Sequence, residues 1–382
     1  LLILNRTRLA FALCALFAAA FLLSSCAGGP PPAAGWSSPM VSNSLIYLGT
    51  DANRVIAVNT ADGSIKWTFP EPAVPPTPST APVNTPTPVP SLGAIYATSA
   101  LADGVLYIGA SDHKLYALDA ATGLRKWDFA ADAPIISSAA VKDGVVYFGA
   151  NDFKVYALDA VSGNKKWEFA TKGAVWADVT IDSGVVYAAS LDHKLYSLDA
   201  VTGSKKWEFD AGGIIVTKPT LANGLVYIAG LQKFYALDAA TGSKKWEFEA
   251  DSWVWSNPAV VNGTVIFGAL GPNTLYALDA ATGSPKWNQP FTTGAAIRSA
   301  IVVDTGVAYF GDDNGKLYAV DIASGKEKWT AYATGSRIIS SPAIADGVIY
   351  VASHDHVLHA VNAADGKVKW KLNTFERKLL GN

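Results

Sequence analysis

The sequence predicts an all-β fold: an eight-bladed β-propeller with four antiparallel strands in each blade. Three observations predict it. A signature, Asp/Asn-x-x-Thr/Ser/Asp-Gly-x-x-x-Trp, occurs eight times and ends at Trp67, Trp127, Trp167, Trp207, Trp246, Trp287, Trp329 and Trp370. Successive Trp spacings are 60, 40, 40, 39, 41, 42 and 41, so a unit of about 40 residues builds most of the chain. Each unit also holds four short strand-like runs separated by turn residues, the pattern of a propeller blade.

The bulk numbers agree with one repeat domain. A length of 382 residues would otherwise suggest two or three domains. A single blade, however, cannot bury both its faces, so neighbours must share a core. Half of the residues are hydrophobic and 16% are charged, which suits sheet-on-sheet burial. A net charge of −2 argues against a dedicated nucleic-acid surface. Only Cys14 and Cys26 exist, both ahead of the first repeat, so the repeats carry no disulfide and no thiol chemistry.

The N-terminus reads as an address. Arg6 and Arg8 precede the apolar run 9–23, and Ser24-Ser25-Cys26 follows. This is the order of a secretory signal peptide, and the run is short for a membrane span. The small residues ending in Cys26 resemble the lipobox of bacterial lipoproteins, which implies lipidation of Cys26. Ala27, which is not Asp, implies sorting to the outer membrane, or the cell surface where there is one membrane. The expected order is signal peptide 1–25, lipidated Cys and tether 26–35, propeller 36–373 and C-terminal tail 374–382. The first and last repeats each look complete, so the termini need not share a blade.

Residues 134–169 serve as the type blade. A run of small and apolar residues, 134–141, ends at the turn Lys142-Asp143-Gly144. The β-branched and aromatic run 145–150 is the second strand. Asn151-Asp152 turns the chain into the third, 154–159, and Ser162-Gly163-Asn164 turns it into the fourth, 165–169. Gly163 and its equivalents are expected at positive φ. The signature Asp and Thr/Ser are expected to bond the turn backbone. The clearest copy begins at Ala236, small enough to leave room beside an indole. Each Trp is expected to bury on the order of 200 Å² against the next blade, a structural and not a ligand-binding role. The Lys pairs 165–166, 205–206 and 244–245, each followed by Trp and Glu, are expected on the solvated outer edge.

Signature, lipobox and eight units together resemble the PQQ-repeat (quinoprotein-like) β-propellers, and among them the BamB-like outer-membrane assembly lipoproteins. The resemblance covers essentially the whole mature chain. It implies a scaffold that binds envelope proteins in outer-membrane assembly, although this fold hosts several functions. Two departures stand out. The charged partner-binding loops of the BamB-like proteins have no match in the short connections 212–214 and 250–252. Residues 70–90, with nine Pro among 21 residues, insert between the first two blades and favour extended polyproline II over any strand.

The same resemblance raises a quinone-dependent dehydrogenase. Those enzymes hold the quinone over a Trp beside two adjacent disulfide-bonded Cys, with calcium on Glu, Asn and Asp. No Cys follows Cys26 and the long loops are missing, so no PQQ, no metal and no catalytic residue is expected. His113, His193 and His356 occupy matching turns and are spread around the ring. His354 and His356 offer at most a local chelate, which a turn position explains equally. Asp312-Asp313-Asn314-Gly315 resembles a calcium-loop fragment without its distal Glu, and hairpin chemistry accounts for it better.

Aligned on their Asp-Gly-like turns, the innermost strands share a position held by Ser38, Thr98, Ser138, Asp178, Lys218, Asn257, Ser299 and Ser341. Two residues earlier stand Trp36, Tyr96, Ile136, Trp176, Val216, Trp255, Ile297 and Ile339. One sector is unlike the rest: Trp176, Asp178, Lys218, Trp255, Asn257 and Arg298. Aromatics beside convergent polar groups suit a ligand or partner site near the channel mouth. The alternative is that Asp178 pairs with Lys218 around a water-filled axis. The sequence thus points to a lipid-anchored scaffold for envelope proteins, or else to a surface protein binding a polysaccharide or small ligand.

Overall fold

The computed structural model describes residues 37–71, 92–271 and 273–381. The expected signal peptide, Cys26, the tether, Trp36 and residues 72–90 of the proline-rich insertion lie outside the described residues. Eight antiparallel sheets follow one another along the chain and form an eight-bladed propeller. They span residues 40–69, 100–130, 140–170, 180–210, 220–249, 259–292, 302–333 and 343–380, blades 1 to 8 below. Every blade is built from consecutive strands in the order innermost to outermost, so among the described residues no strand is exchanged between the first and last blades.

The second strands show why the chain needs a ring. Leu45 and Tyr47 of blade 1 pack in a cluster with Ile95, Leu106 and Ile108 of blade 2. Ile46 and Leu48, alternating with them, pack with Tyr350, Leu358 and Trp370 of blade 8. A strand presents successive side chains to opposite faces, and here both faces meet another sheet. The core is therefore eight apolar layers, one between each pair of neighbours.

The signature Trp closes each layer at its outer end. Trp67 donates its indole N–H to the carbonyl of Ala120 in the next blade at 3.0 Å, and Trp127 bonds Ala160 at 3.1 Å. The contact repeats through Trp329 to Ala363, and Trp370 returns it to Thr60 of blade 1 at 3.0 Å. Tyr47, two strands inward of Trp67, donates to the same Ala120 carbonyl at 3.2 Å. Each indole lies on a turn glycine of the next blade: a Cβ on Gly163 would stand 2.8 Å from Trp127. Gly163 also has φ +73°, so one residue meets two demands that exclude a side chain. The signature alanine stands directly opposite the indole of its own sheet, as Ala157 does opposite Trp167.

The turns behave as their residues suggest. Asp119 accepts from the N–H groups of Ala121 and Thr122 and from the Thr122 hydroxyl. The outer lysines pair with the glutamate three residues on, as in Lys165–Glu168 at 2.7 Å. In blades 1 to 5 and 8 the fourth strand pairs with the third through a bulge, whereas the fourth strands of blades 6 and 7 are interrupted. Pro285 has no N–H for the ladder, and pairing resumes only at Phe291–Thr292. Blade 7 splits its outer edge into Lys326–Glu327 and Tyr332–Ala333. Blade 8 gains a fifth strand, Lys378–Leu380, from the residues read as a tail.

Candidate functional site

The innermost strands surround a cavity of about 990 Å³ along the axis. A hydrogen-bond circuit runs around it, in which a side chain of one blade accepts the backbone N–H of the blade before. Thr98 N donates to Ser138 Oγ at 2.9 Å, and Ser138 N to Asp178 Oδ1 at 2.7 Å. Lys218 N donates to Asn257 Oδ1 at 2.7 Å, Ala300 N to Ser341 Oγ at 3.1 Å, and Ser341 N to Ser38 Oγ at 2.7 Å.

The circuit corrects the sequence alignment in blade 7. The residue at the shared position is Ala300, not Ser299. Ser299 is instead a buried strut that accepts from Gly311 N and donates to its carbonyl, as Ser137 does at Gly149. Asp143 takes the positive φ of its turn in blade 3, but in blade 7 Asp304 ends the strand and Thr305 takes that φ. The one-residue shift puts Arg298, not Ile297, in line with Trp176 and Trp255. Ile297 is fully buried.

Asp178, Lys218 and Asn257 line the axial cavity, whereas Trp176, Trp255 and Arg298 do not. The six residues therefore form two groups. Asp178 makes no ion pair with Lys218, contrary to the alternative reading, because its carboxylate is turned to Ser138 N. The Lys218 ammonium has no hydrogen-bond or ion-pair partner among the described residues, and its side chain is exposed to the cavity. Lysine carries no acceptor, so the circuit also stops there. Thr180 spans the gap from below, donating its hydroxyl to the Pro219 carbonyl at 2.6 Å.

Trp176, Trp255 and Arg298 stand two positions before the cavity-lining Asp178, Asn257 and Ala300, in the segments that lead into the first strand of each blade. They belong to the other end of the ring, where second strands turn into third strands. Arg298 Nε reaches both oxygens of Asp313 at 3.2 and 2.9 Å, and its guanidinium lies 5.6 Å from the Trp255 ring centroid. The Trp176 indole nitrogen is buried and has no acceptor among the described residues. Trp255 and Arg298 are both half-buried, which leaves part of each accessible.

The histidines fall in turns or in packing. His113, His193 and His356 have φ of 72°, 75° and 68°. His356 Nδ1 pairs with Asp51 across the junction of blades 8 and 1. His354 has a buried Nε2 without a partner among the described residues, and burial together with nearby Arg337 holds its pKa below the ordinary value. Sequence reasoning passed over His359. It is 2% exposed, bridges Tyr332 and Ser353 at 2.9 Å on each nitrogen, and is pushed down to about 4 by burial. Its place on the alternating face of a buried strand was the available signal. Asp312 is fully buried, caps Asn314 N and Lys316 N, and accepts from Tyr318 at 3.0 Å.

The fold family raises a quinone with calcium, so the donors near the axis can be compared with what that pair needs. Among the described residues there is no Cys, and no group of three His, Cys, Asp or Glu is placed to hold a metal ion. The signature indoles lie on neighbouring turn glycines, away from the axial wall. These residues do not fit the quinone and its calcium.

The family described as "Outer membrane protein assembly factor BamB" matches residues 81–177, 170–269, 218–331 and 273–379. No curated protein matches the sequence. Among solved structures, BamB from Moraxella catarrhalis superposes with a TM-score of 0.68 at 19% identity, covering 84% of this chain and 94% of that one. The computationally designed Ika8 protein superposes with a TM-score of 0.70 at 15% identity, covering 89% of this chain and 96% of that one. At such identities both likenesses carry the fold alone.

Proposed function

The chain belongs to the family described as outer membrane protein assembly factor BamB, and from that premise we propose that it is a non-catalytic scaffold binding other proteins during outer-membrane assembly. The observation that carries this reading is the extent of the family match, which runs through seven of the eight blades. The proposed location follows from the N-terminal sequence: anchored through lipidated Cys26, on the outer membrane facing the periplasm, or on the cell surface of a single-membrane organism. The proposed partner face is the end carrying Trp176, Trp255 and Arg298. Half-buried aromatics and arginine are the residues that anchor interfaces most effectively. Arg298 is already oriented by Asp313, which lowers the ordering cost of binding.

A pull-down from detergent-solubilised membranes tests the proposal. Recovery of a β-barrel assembly protein supports it, and recovery of glycan alone overturns it. A second reading, a surface protein for a polysaccharide or small ligand, is favoured by the buried Trp176 indole N–H, a donor without an acceptor among the described residues. The same pull-down separates the two.

A further inference from the structure

Three links of the axial circuit are missing among the described residues: one between Ser38 and Thr98, and two beside Lys218, the one lysine that lines the cavity. Three neighbouring positions in blades 4 to 6 leave donors without acceptors. The N–H of Asp178 would bond a side-chain acceptor at Lys218, which has none to give. The N–H of Asn257 would bond a side chain at Ala300, which is apolar. Neither N–H has a partner among the described residues, and neither residue belongs to a strand that could supply one. Asn257 spends its oxygen on Lys218 N, so its amide nitrogen is also left as a donor. The Lys218 ammonium completes the set. Two backbone amides, a side-chain amide and a cation are thus all donors, and they line one side of a cavity of about 990 Å³.

Unpartnered donors gathered around a positive charge suit an acceptor-only, negatively charged group. We propose that this sector binds a small oxyanion, a carboxylate or a tetrahedral phosphate or sulfate group. Ammonium and amides would take separate oxygens of the anion. Asp178 and Asp182 also line the cavity, and Asp178 Oδ1 accepts from Ser138 N on the side of blade 3, away from Lys218 and Asn257. The proposal does not depend on the scaffold reading: a ligand in the axis and a partner on the loop face occupy different groups of residues.

The test measures thermal unfolding of the full chain against phosphate, sulfate and acetate, each balanced with chloride to constant ionic strength. A ligand that binds only the folded state raises the melting temperature with its concentration. The expected result is such a rise with at least one of the three. Lys218→Ser should remove the response, weakening binding about tenfold or more, and should raise the melting temperature without ligand by giving Asp178 N an acceptor. Lys218→Arg, which keeps the charge, should keep the response. No response to any of the three, or an equal response in Lys218→Ser, overturns the proposal.

Discussion

Trp370, in the last blade, donates its indole N–H to the carbonyl of Thr60 in the first, at 3.0 Å. The same contact joins every other pair of neighbouring blades, so the ring closes by repetition and not by a shared blade. Four further links cross this junction: Tyr350 to Thr60, Ser341 to Ser38, His356 to Asp51 and Arg377 to Thr68.

Because closure rests on side chains, it should be separable by mutation. Trp370→Phe keeps an aromatic ring on Gly63 but removes the bond to Thr60, and should cost about 1–2 kcal/mol. Trp370→Ala also empties the layer between blades 8 and 1 and should cost about 3–5 kcal/mol. Urea unfolding at neutral pH measures both. Equal losses would mean that the hydrogen bond, and not the packing, holds the junction.

Two glycines of equal φ should behave differently. Gly144 and Gly163 both have φ +73°, yet a Cβ on Gly144 would meet nothing within 4 Å, whereas one on Gly163 would stand 2.8 Å from Trp127. Gly144→Ala should therefore cost only the left-handed backbone penalty, about 1–2 kcal/mol. Gly163→Ala should cost that and a further ~1–3 kcal/mol for overpacking. The comparison of the two denaturation midpoints checks it.

Stability should fall on mild acidification. The folded pKa of His359 is lowered from 6.5 to about 4, so between those values the unfolded state binds a proton that the folded state refuses. Stability then rises with pH across this window and is lost as pH falls through it, by at most ~1.4 kcal/mol per pH unit. His354 shifts in the same direction. Turn carboxylates such as Asp119, held below their ordinary value chiefly by the Thr122 hydroxyl, add their losses at lower pH. His359→Gln should flatten the profile between pH 6.5 and pH 4 in denaturation series. A slope unchanged from wild type would assign the effect elsewhere.

The axial circuit should respond to single atoms. Ser341→Ala removes the acceptor of Ala300 N and should cost about 1 kcal/mol, while Ala300→Ser offers an acceptor to Asn257 N and should gain about 0.5–1 kcal/mol. Both are read from denaturation midpoints. A destabilised Ala300→Ser would show that the position cannot hold a hydroxyl in the circuit geometry.

On the proposed partner face, Trp255→Ala should weaken partner recovery about tenfold, which is ~1.4 kcal/mol of binding. Arg298→Lys should also weaken it, since lysine cannot keep both the two-oxygen bond to Asp313 and the stacking on Trp255. Fold stability should change by less than about 1 kcal/mol in either variant. Full recovery with both variants would place the partner elsewhere.

Much of the fold was legible because its determinants are local. Strand runs, turn glycines and the Asp that caps each turn lie within a few residues of one another, and their eightfold repetition makes each copy check the rest. The Tyr that shares an acceptor with Trp was not singled out, since tyrosine in a strand has many ordinary uses. The candidate site was less legible. Asp178 and Lys218 are adjacent around the axis, and opposite charges suggest a pair. Ser138 N reaches the carboxylate first, and that amide belongs to a residue 40 positions away.

By itself the sequence determined the number of blades, their strand order and the Trp contact that joins them, because these follow from a period of about 40 residues and from short-range turn chemistry. Only the tertiary structure decided which side chains reach the axis, that Arg298 and not Ile297 shares its position with Trp176 and Trp255, and where the hydrogen-bond circuit stops. The physical reason is register. A strand's side chains alternate, so the choice between Asp304 and Thr305 as the turn residue moves every residue of the inner strand to the opposite face.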